Sequence, residues 1–182
     1  MEYGPGKTRT VEVVDYDPRW PEQFAVERAL LARLLPDALA IEHVGSTSVP
    51  GLCAKPTIDV LVVVTDVGAV LERSAALGRL GYEYRPGSFA GDARHVFFRK
   101  VAAGRRTHHL HVLAADSPIP DDYRLFRDCL RSDHDAARRY AGVKQALAVR
   151  YAAERGRYVA EKSELVAELM ARARLWRATG EP

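Results

Sequence analysis

The segment from residue 42 to residue 62, EHVGSTSVPGLCAKPTIDVLV, constrains the fold more than any other part of the chain. An apolar run over residues 40–44 leads into Gly45 and Ser46, and a later β-branched run carries Asp59 near its start. This pattern predicts two strands joined by a polar loop. A Gly-Ser turn can present backbone N–H groups and a hydroxyl to phosphate, and an acid on the next strand can hold a divalent cation. The segment therefore predicts a nucleoside triphosphate site.

Further motifs accompany this segment. Residues 16–21 read YDPRWP, residues 126–131 read FRDCLR, and a Tyr-x-x-x-Lys pattern occurs at 140–144 and again at 158–162. Together with the first segment they resemble the GrpB family, which is assigned to the nucleotidyltransferase fold of the polymerase-beta superfamily. The resemblance extends over most of the chain. It implies an α+β fold with a small mixed β-sheet flanked by helices and an α-rich C-terminal half.

One position departs from the superfamily pattern. There, a second acid follows the first by two residues on the same strand, whereas this chain has Leu61 at that place. Two-metal transfer normally needs two or three converging carboxylates. The resemblance implies a catalytic and metal-binding role for Asp59, and Glu42 on the preceding strand could supply the missing ligand. The alternative for Glu42 is an ion pair that orients the loop.

A histidine cluster lies on the second strand of a predicted hairpin. Strand alternation places His109 and His111 on one face and His108 on the other. The resemblance implies that His111 occupies the place of the superfamily's third acid, facing Asp59, with His109 as a further metal ligand. The cluster also permits a His/Asp site for Mn²⁺ or Zn²⁺. The structural alternative is one buried histidine and two half-exposed ones.

The predicted nucleotide-binding residues lie in the loop and in the predicted helical part. They are Gly45, Ser46, Thr47, Ser48, Lys55, Arg127, Arg131, Tyr140, Lys144, Tyr158 and Lys162. The six helical residues form three pairs that are each one turn apart. A cation beside a ring could bind phosphate while the ring stacks on a base. The alternatives are amphipathic packing for the pairs, turn or capping roles for Thr47 and Ser48, and a solvated surface position for Lys55.

The predicted organisation is a single compact domain. Residues 1–10 form a lead, residues 11–115 a sheet core and residues 116–177 a helical part packed on that core. Strands are predicted at 11–15, 40–44, 57–64 and 82–84, and in a hairpin over 95–101 and 107–113. Helices are predicted from about residue 18 to Pro36, over residues 67–80 behind an Asp66 cap, and from Asp121 to Trp176.

Composition excludes some classes of protein. A net charge of +3 is too small to predict a nucleic-acid partner, and no apolar run reaches the length of a membrane span. Cys53 and Cys129 lack metal-ligand spacing and are interpreted as free thiols. The sequence shows no secretory signal peptide, and it therefore predicts a cytoplasmic protein.

The sequence is compatible with three functions. The leading hypothesis is an enzyme that uses ATP or another nucleoside triphosphate with Mg²⁺ or Mn²⁺. It would transfer a nucleotidyl group to a small-molecule acceptor or activate that acceptor for ligation. Leu61 favours instead a non-catalytic nucleotide- or metabolite-binding module. The histidine cluster permits a metal-dependent hydrolase.

Overall fold

The computed structural model describes residues 11–179, which form a five-stranded mixed sheet and six α-helices. The strands are β1 (Ala40–Val44), β2 (Ile58–Val64), β3 (Tyr82–Tyr84), β4 (His95–Ala102) and β5 (Arg105–Ala114). The helices are α1 (Trp20–Leu34), α2 (Val67–Glu72), α3 (Ser74–Arg79), α4 (Ile119–Ser132), α5 (His134–Arg150) and α6 (Arg155–Thr179). The predicted α+β class is confirmed.

The sheet has the order β1-β2-β5-β4-β3, in which β2 and β5 are parallel and the other neighbouring strands are antiparallel. In this register Asp59 pairs with His109 and Leu61 with His111. Paired residues of neighbouring strands point to the same face of a sheet. The carboxylate and both imidazoles therefore lie on one face, as strand alternation predicts.

The opposite face of the sheet carries the main hydrophobic core. Apolar residues of β2, β4 and β5, among them Val60, Phe98 and Leu110, are buried there against Leu31 of α1 and Leu77 of α3. α1 has Pro21 in its first turn, where a proline costs no hydrogen bond, and it ends before Pro36. This packing leaves the other face of the sheet for α4 and the site.

The helices α4, α5 and α6 pack on one another and on the loop between β1 and β2. One buried cluster joins Val49 and Leu52 of that loop to Leu130, Tyr140 and Leu169 of the three helices. The loop begins with one turn of 3₁₀ helix over Ser46–Ser48. It is therefore held between the edge of the sheet and the helical half.

Two predicted elements differ in the structure. The predicted strand over residues 11–15 is wrong, because only Val14 forms a strand-like bridge, with Ala54. The helix predicted over residues 67–80 is divided at Arg73, and the hydroxyl of Ser74 donates to a carbonyl of the preceding turn, which competes with regular helix hydrogen bonding. The Asp66 cap is confirmed, since its side chain accepts from the backbone of α2.

The predicted lead over residues 1–10 lies outside the described residues. Between residues 11 and 179, no helix is long and apolar enough to cross a membrane.

Candidate functional site

The structure brings Asp59 together with His109 and His111. His109 Nδ1 lies 2.8 Å from Asp59 Oδ1, and because a carboxylate can only accept, the imidazole donates. One potential ligand atom from each of the three residues lies within 4.8 Å of the others. Within residues 11–179, these three residues form the group of acidic, histidine or cysteine side chains that could hold a metal ion. We call them the metal-ligand group.

Gly45 makes room for the Asp59 carboxylate. Its backbone has φ +71° and ψ −173°, a region that is essentially restricted to glycine. A Cβ at this position would lie 2.3 Å from Asp59 Oδ2, far inside contact distance. The glycine of the Gly-Ser turn is thus required by both its backbone conformation and the close approach of the acid.

Electrostatics hold this group in the form that binds cations. Burial, the largest single cause, raises the pKa of Asp59, but the hydrogen bond from His109 and the electrostatic effects of the neighbouring side chains, Lys162 among them, together outweigh it, so that the pKa lies below its usual value. Burial lowers the pKa of His111 to about 3. The carboxylate is therefore ionised and the imidazole neutral at pH 7, and these are the forms that ligate metals.

The donor set fits a divalent transition metal. Nδ1 of His111 lies 3.1 Å from both His95 Nε2 and Tyr123 Oη, which leaves Nε2 for a ligand. Nε2 of His109 is buried without a hydrogen-bond partner. In both histidines Nδ1 is hydrogen-bonded to a neighbouring group, and metal-binding histidines usually use the nitrogen that does not bind the metal for such a bond. One carboxylate with two imidazoles suits Mn²⁺ or Zn²⁺ better than Mg²⁺, which prefers oxygen ligands.

A pocket of about 220 Å³ lies beside the metal-ligand group. Its lining includes Asp59 and His109, together with several hydroxyl and cationic side chains. These are Ser46, Thr47, Thr57, Lys55, Lys144, Arg155 and Lys162. The pocket thus has four cations beside one carboxylate, so its charge attracts anions.

Two lysine ammonium groups in the pocket lie over tyrosine rings. The Nζ of Lys55 lies 3.9 Å from the ring centroid of Tyr158, and that of Lys144 lies 4.4 Å from the ring centroid of Tyr140. Burial, which is the largest cause, lowers the pKa of each lysine to about 8; neighbouring cations contribute to the lowering at both. Lys144 also donates to the Ser46 hydroxyl over 3.1 Å and to the backbone carbonyl of Cys53.

The prediction that these rings stack on a base is not supported by their surroundings. Tyr140 and Tyr158 are each only 2% exposed, and the ammonium groups cover them on the pocket side. Tyr140 also meets the edge of Phe126. The Tyr-x-x-x-Lys spacing of the second pair correctly places Lys162 in the pocket, but the cation over Tyr158 is Lys55.

Thr47 and Ser48 face inward and shape the loop. The Thr47 hydroxyl donates to the Thr57 carbonyl, so it accepts from Nε2–H of His43, 2.9 Å away. The Ser48 hydroxyl donates to the Gly45 carbonyl over 2.6 Å. Of the alternatives for these two residues, the structure shows the turn role, although Thr47 also contributes to the pocket wall.

Glu42 forms an ion pair and lies outside the metal-ligand group. Arg124 Nε lies 2.8 Å from Glu42 Oε1, and Arg127 Nη1 lies 2.9 Å from Glu42 Oε2. Both carboxylate oxygens are therefore engaged, and the pKa of Glu42 is lowered because the two guanidinium groups outweigh the effect of burial. The expectation that Glu42 is a metal ligand is replaced by its alternative, the ion pair.

The arginines of α4 bind the chain rather than the pocket. Arg131 donates twice to the Ser48 carbonyl, at 2.7 and 3.1 Å. Arg127 also donates to Asp128 and to the His43 carbonyl. Neither Arg127 nor Arg131 lines the pocket, because both are used to attach α4 to β1 and the loop.

Sequence reasoning missed Thr57, Arg155 and Arg124. The spacing of Arg124 and Arg127, one turn apart, could have indicated a shared face.

A larger cavity of about 400 Å³ lies between α4, α5 and α6, beside Cys129 and Trp176. It shares no lining residue with the smaller pocket, and we place the candidate site at the smaller pocket because Asp59 and His109 line it.

Comparison with known proteins identifies the family. A family model described as GrpB protein matches residues 10–172. A UPF0157 protein of Pseudomonas aeruginosa is 42% identical over 167 residues, which are 90% of this chain and 67% of that protein. The UPF0157 protein YqkA of Bacillus subtilis is 34% identical over 93% of this chain and 49% of its own length. The chain thus spans about two thirds of one relative and about half of the other.

A solved structure shares the fold. The crystal structure of the conserved protein GrpB from Enterococcus faecalis has 34% identity and a TM-score of 0.79, covering 88% of this chain and 98% of that one. The Cid1 poly(U) polymerase matches 73% of this chain and 45% of its own at 16% identity with a TM-score of 0.44, which is too distant for an inference. From the match to the family model and the identity to its relatives, this chain belongs to the GrpB family.

Proposed function

We propose that this protein is a nucleotidyltransferase-type enzyme that takes a nucleoside triphosphate, with ATP as the expected donor, and a small-molecule acceptor. The observation that carries the proposal is one cleft in which a carboxylate–imidazole group lies beside four cations. Anion-binding side chains and a metal-ligand set side by side are the parts that phosphoryl chemistry needs. The resemblance of the GrpB family to nucleotidyltransferases supports the same reaction class.

The residues of the pocket would have distinct roles. Lys55, Lys144 and Lys162 would bind the phosphate chain and offset its charge, and the Ser46 hydroxyl would position it. Asp59, His109 and His111 would hold a divalent metal, which supplies Lewis-acid polarisation of phosphoryl oxygens. An acceptor oxygen would form a bond to the α-phosphorus as the bond to pyrophosphate breaks. The lysine ammonium groups would stabilise the leaving pyrophosphate.

The test measures pyrophosphate release with Mn²⁺, Zn²⁺ or Mg²⁺, each nucleoside triphosphate and a pool of low-molecular-mass acceptors. Asp59→Asn keeps the shape and removes the charge, and we expect turnover to fall at least about a hundredfold. Asp66→Asn is the matched control, because an asparagine caps α2 equally well. Absence of turnover under all conditions, or unchanged activity in Asp59→Asn together with lost stability, would contradict the proposal.

A non-catalytic binding module is the second candidate, and Leu61 favours it. This side chain is 0% exposed and packs with Val44, Val63 and Leu113. A buried hydrophobic residue therefore occupies the position at which the superfamily has its second acid. A module would bind nucleotide without releasing pyrophosphate. A hydrolase using the same metal-ligand group would release product without any acceptor. The turnover assay, run with and without the acceptor pool, separates the three functions.

A further inference from the structure

The pocket beside Asp59 has the charge of a polyphosphate site. Lys55, Lys144, Lys162 and Arg155 contribute four positive charges against the single carboxylate of Asp59. Apart from the two tyrosines, the hydrophobic side chains in the lining are Ala54 and Val159. Polar contacts and charge therefore dominate what this surface can offer a ligand.

Neither tyrosine offers an open aromatic face to a base in this pocket. The rings of Tyr140 and Tyr158 lie under the ammonium groups of Lys144 and Lys55. The rest of each ring is packed in the helical half, with Tyr158 in a cluster that includes Leu147. Base stacking needs an exposed ring, and neither tyrosine provides one.

The size of the pocket leads to the same conclusion. Its volume of about 220 Å³ is below the lower end, about 300 Å³, of pockets that enclose a drug-sized ligand. A whole nucleotide does not fit inside it, whereas a phosphate chain is narrower and needs only cations and donors along its length.

We infer that this pocket binds the polyphosphate chain alone and leaves the nucleoside outside, so that it accepts nucleoside triphosphates without selecting the base. Inorganic triphosphate is then a ligand of the same site. This inference deepens the proposed function and rests on it for the location of the phosphate chain. The shared chemistry is a chain of phosphate groups, whether free or attached to a nucleoside.

The experiment is isothermal titration calorimetry on the full chain in the presence of Mn²⁺. The ligands are ATP, GTP, CTP, UTP, inorganic triphosphate and adenosine. We expect the four nucleotides to have Kd values within about threefold of one another and inorganic triphosphate to bind within about tenfold of ATP. Adenosine, which has no phosphate, should not bind.

A pair of variants assigns the binding to this pocket. Lys162→Gln removes a half-buried pocket cation, and we expect it to weaken ATP and inorganic triphosphate alike, by about tenfold. Arg157→Gln is the matched control, because Arg157 lies on the same helix, is 69% exposed and pairs with Glu154 away from the pocket. It should leave every Kd unchanged. Thermal unfolding of both variants verifies that they are folded.

The outcomes separate this inference from the proposed function. A preference of more than about tenfold for one base, or adenosine binding, would overturn the inference and leave the proposed enzyme standing. ATP binding without inorganic triphosphate binding would do the same. If no phosphate compound binds, the inference and the proposed function both fail.

Discussion

At the residue scale, the position of Asp59 depends on its neighbours. Gly45 lies against one oxygen of the carboxylate, and Nδ1–H of His109 donates to the other. The parallel pairing of β2 and β5 aligns the backbones that carry the two side chains. The carboxylate therefore cannot be moved without changing the turn or the imidazole.

Gly45→Ala tests this arrangement. The added Cβ meets the Asp59 carboxylate and the backbone is strained at a positive φ, so we expect a loss of about 1–3 kcal/mol in the free energy of unfolding. Gly142→Ala is the matched control, because nothing lies within 4 Å of its added Cβ and alanine favours the helix interior of α5. Urea unfolding measures both variants. Equal stabilities of Gly45→Ala and the parent would show that the turn adapts to a side chain.

We expect His43 to make the stability of the protein depend on pH. It is buried and stacked on Phe24 at a centroid distance of 4.8 Å. Burial lowers the pKa of His43 to about 4; Arg131 and Arg127 lower it further, while Asp59 opposes the shift. The unfolded chain, with a histidine pKa of about 6.5, therefore binds more protons than the native state between pH 6.5 and pH 4.

Stability should consequently fall as the pH is lowered through this window. In His43→Gln the titrating group is gone, and we expect its loss of unfolding free energy from pH 7 to pH 4 to be smaller than the parent's by about 1–3 kcal/mol. Urea titrations at intervals of pH measure the two slopes. Parallel slopes would mean that the His43 imidazole binds protons equally in the native and the unfolded state, so that its burial does not shift its pKa.

At the scale of elements, α4 is attached by hydrogen bonds to β1 and to the loop between β1 and β2. Its arginines at positions 124, 127 and 131 contact Glu42, the His43 carbonyl and the Ser48 carbonyl. The loop carries Ser46 and Lys55 into the pocket, so the helix positions two pocket residues without lining the pocket itself.

Glu42→Gln separates this structural role from metal binding. Removing the charge leaves Arg124 and Arg127 without a partly buried acid, and we expect a loss of about 1–2 kcal/mol in unfolding free energy. The affinity for Mn²⁺ should stay unchanged, because Glu42 is not in the metal-ligand group. Glu168→Gln, which removes an exposed pair with Arg139, is the control and should change stability by no more than about 0.5 kcal/mol. A loss of Mn²⁺ affinity in Glu42→Gln would return Glu42 to the metal site.

At the scale of the whole molecule, local pattern predicts the parts of the site that lie on regular strands. The β-branched run around Asp59 and the alternation of His109 and His111 place all three side chains on one face, because strand periodicity is a property of the backbone. The partners of Glu42 were not predictable, since Arg124 and Arg127 lie 82 and 85 residues further along the chain. Their contact depends on how α4 docks.

The burial of the tyrosines was not predictable either, because it also depends on tertiary contacts. The Tyr-x-x-x-Lys spacing places each lysine one turn from its ring, but it does not reveal which cation covers Tyr158. Lys55 comes from the loop between β1 and β2, and only the packing of α6 against that loop brings it over the ring. Tertiary contact thus decides whether a ring is open to a base.

A Mn²⁺ titration followed by electron paramagnetic resonance, which detects the free ion, tests the metal site at Asp59, His109 and His111 most directly. We expect one Mn²⁺ site in the parent, with affinity at least about tenfold weaker in Asp59→Asn and in His109→Gln. Asp66→Asn should bind Mn²⁺ like the parent. If the parent leaves all Mn²⁺ free, or if Asp59→Asn binds it as tightly as the parent, the group of Asp59, His109 and His111 is not a metal site.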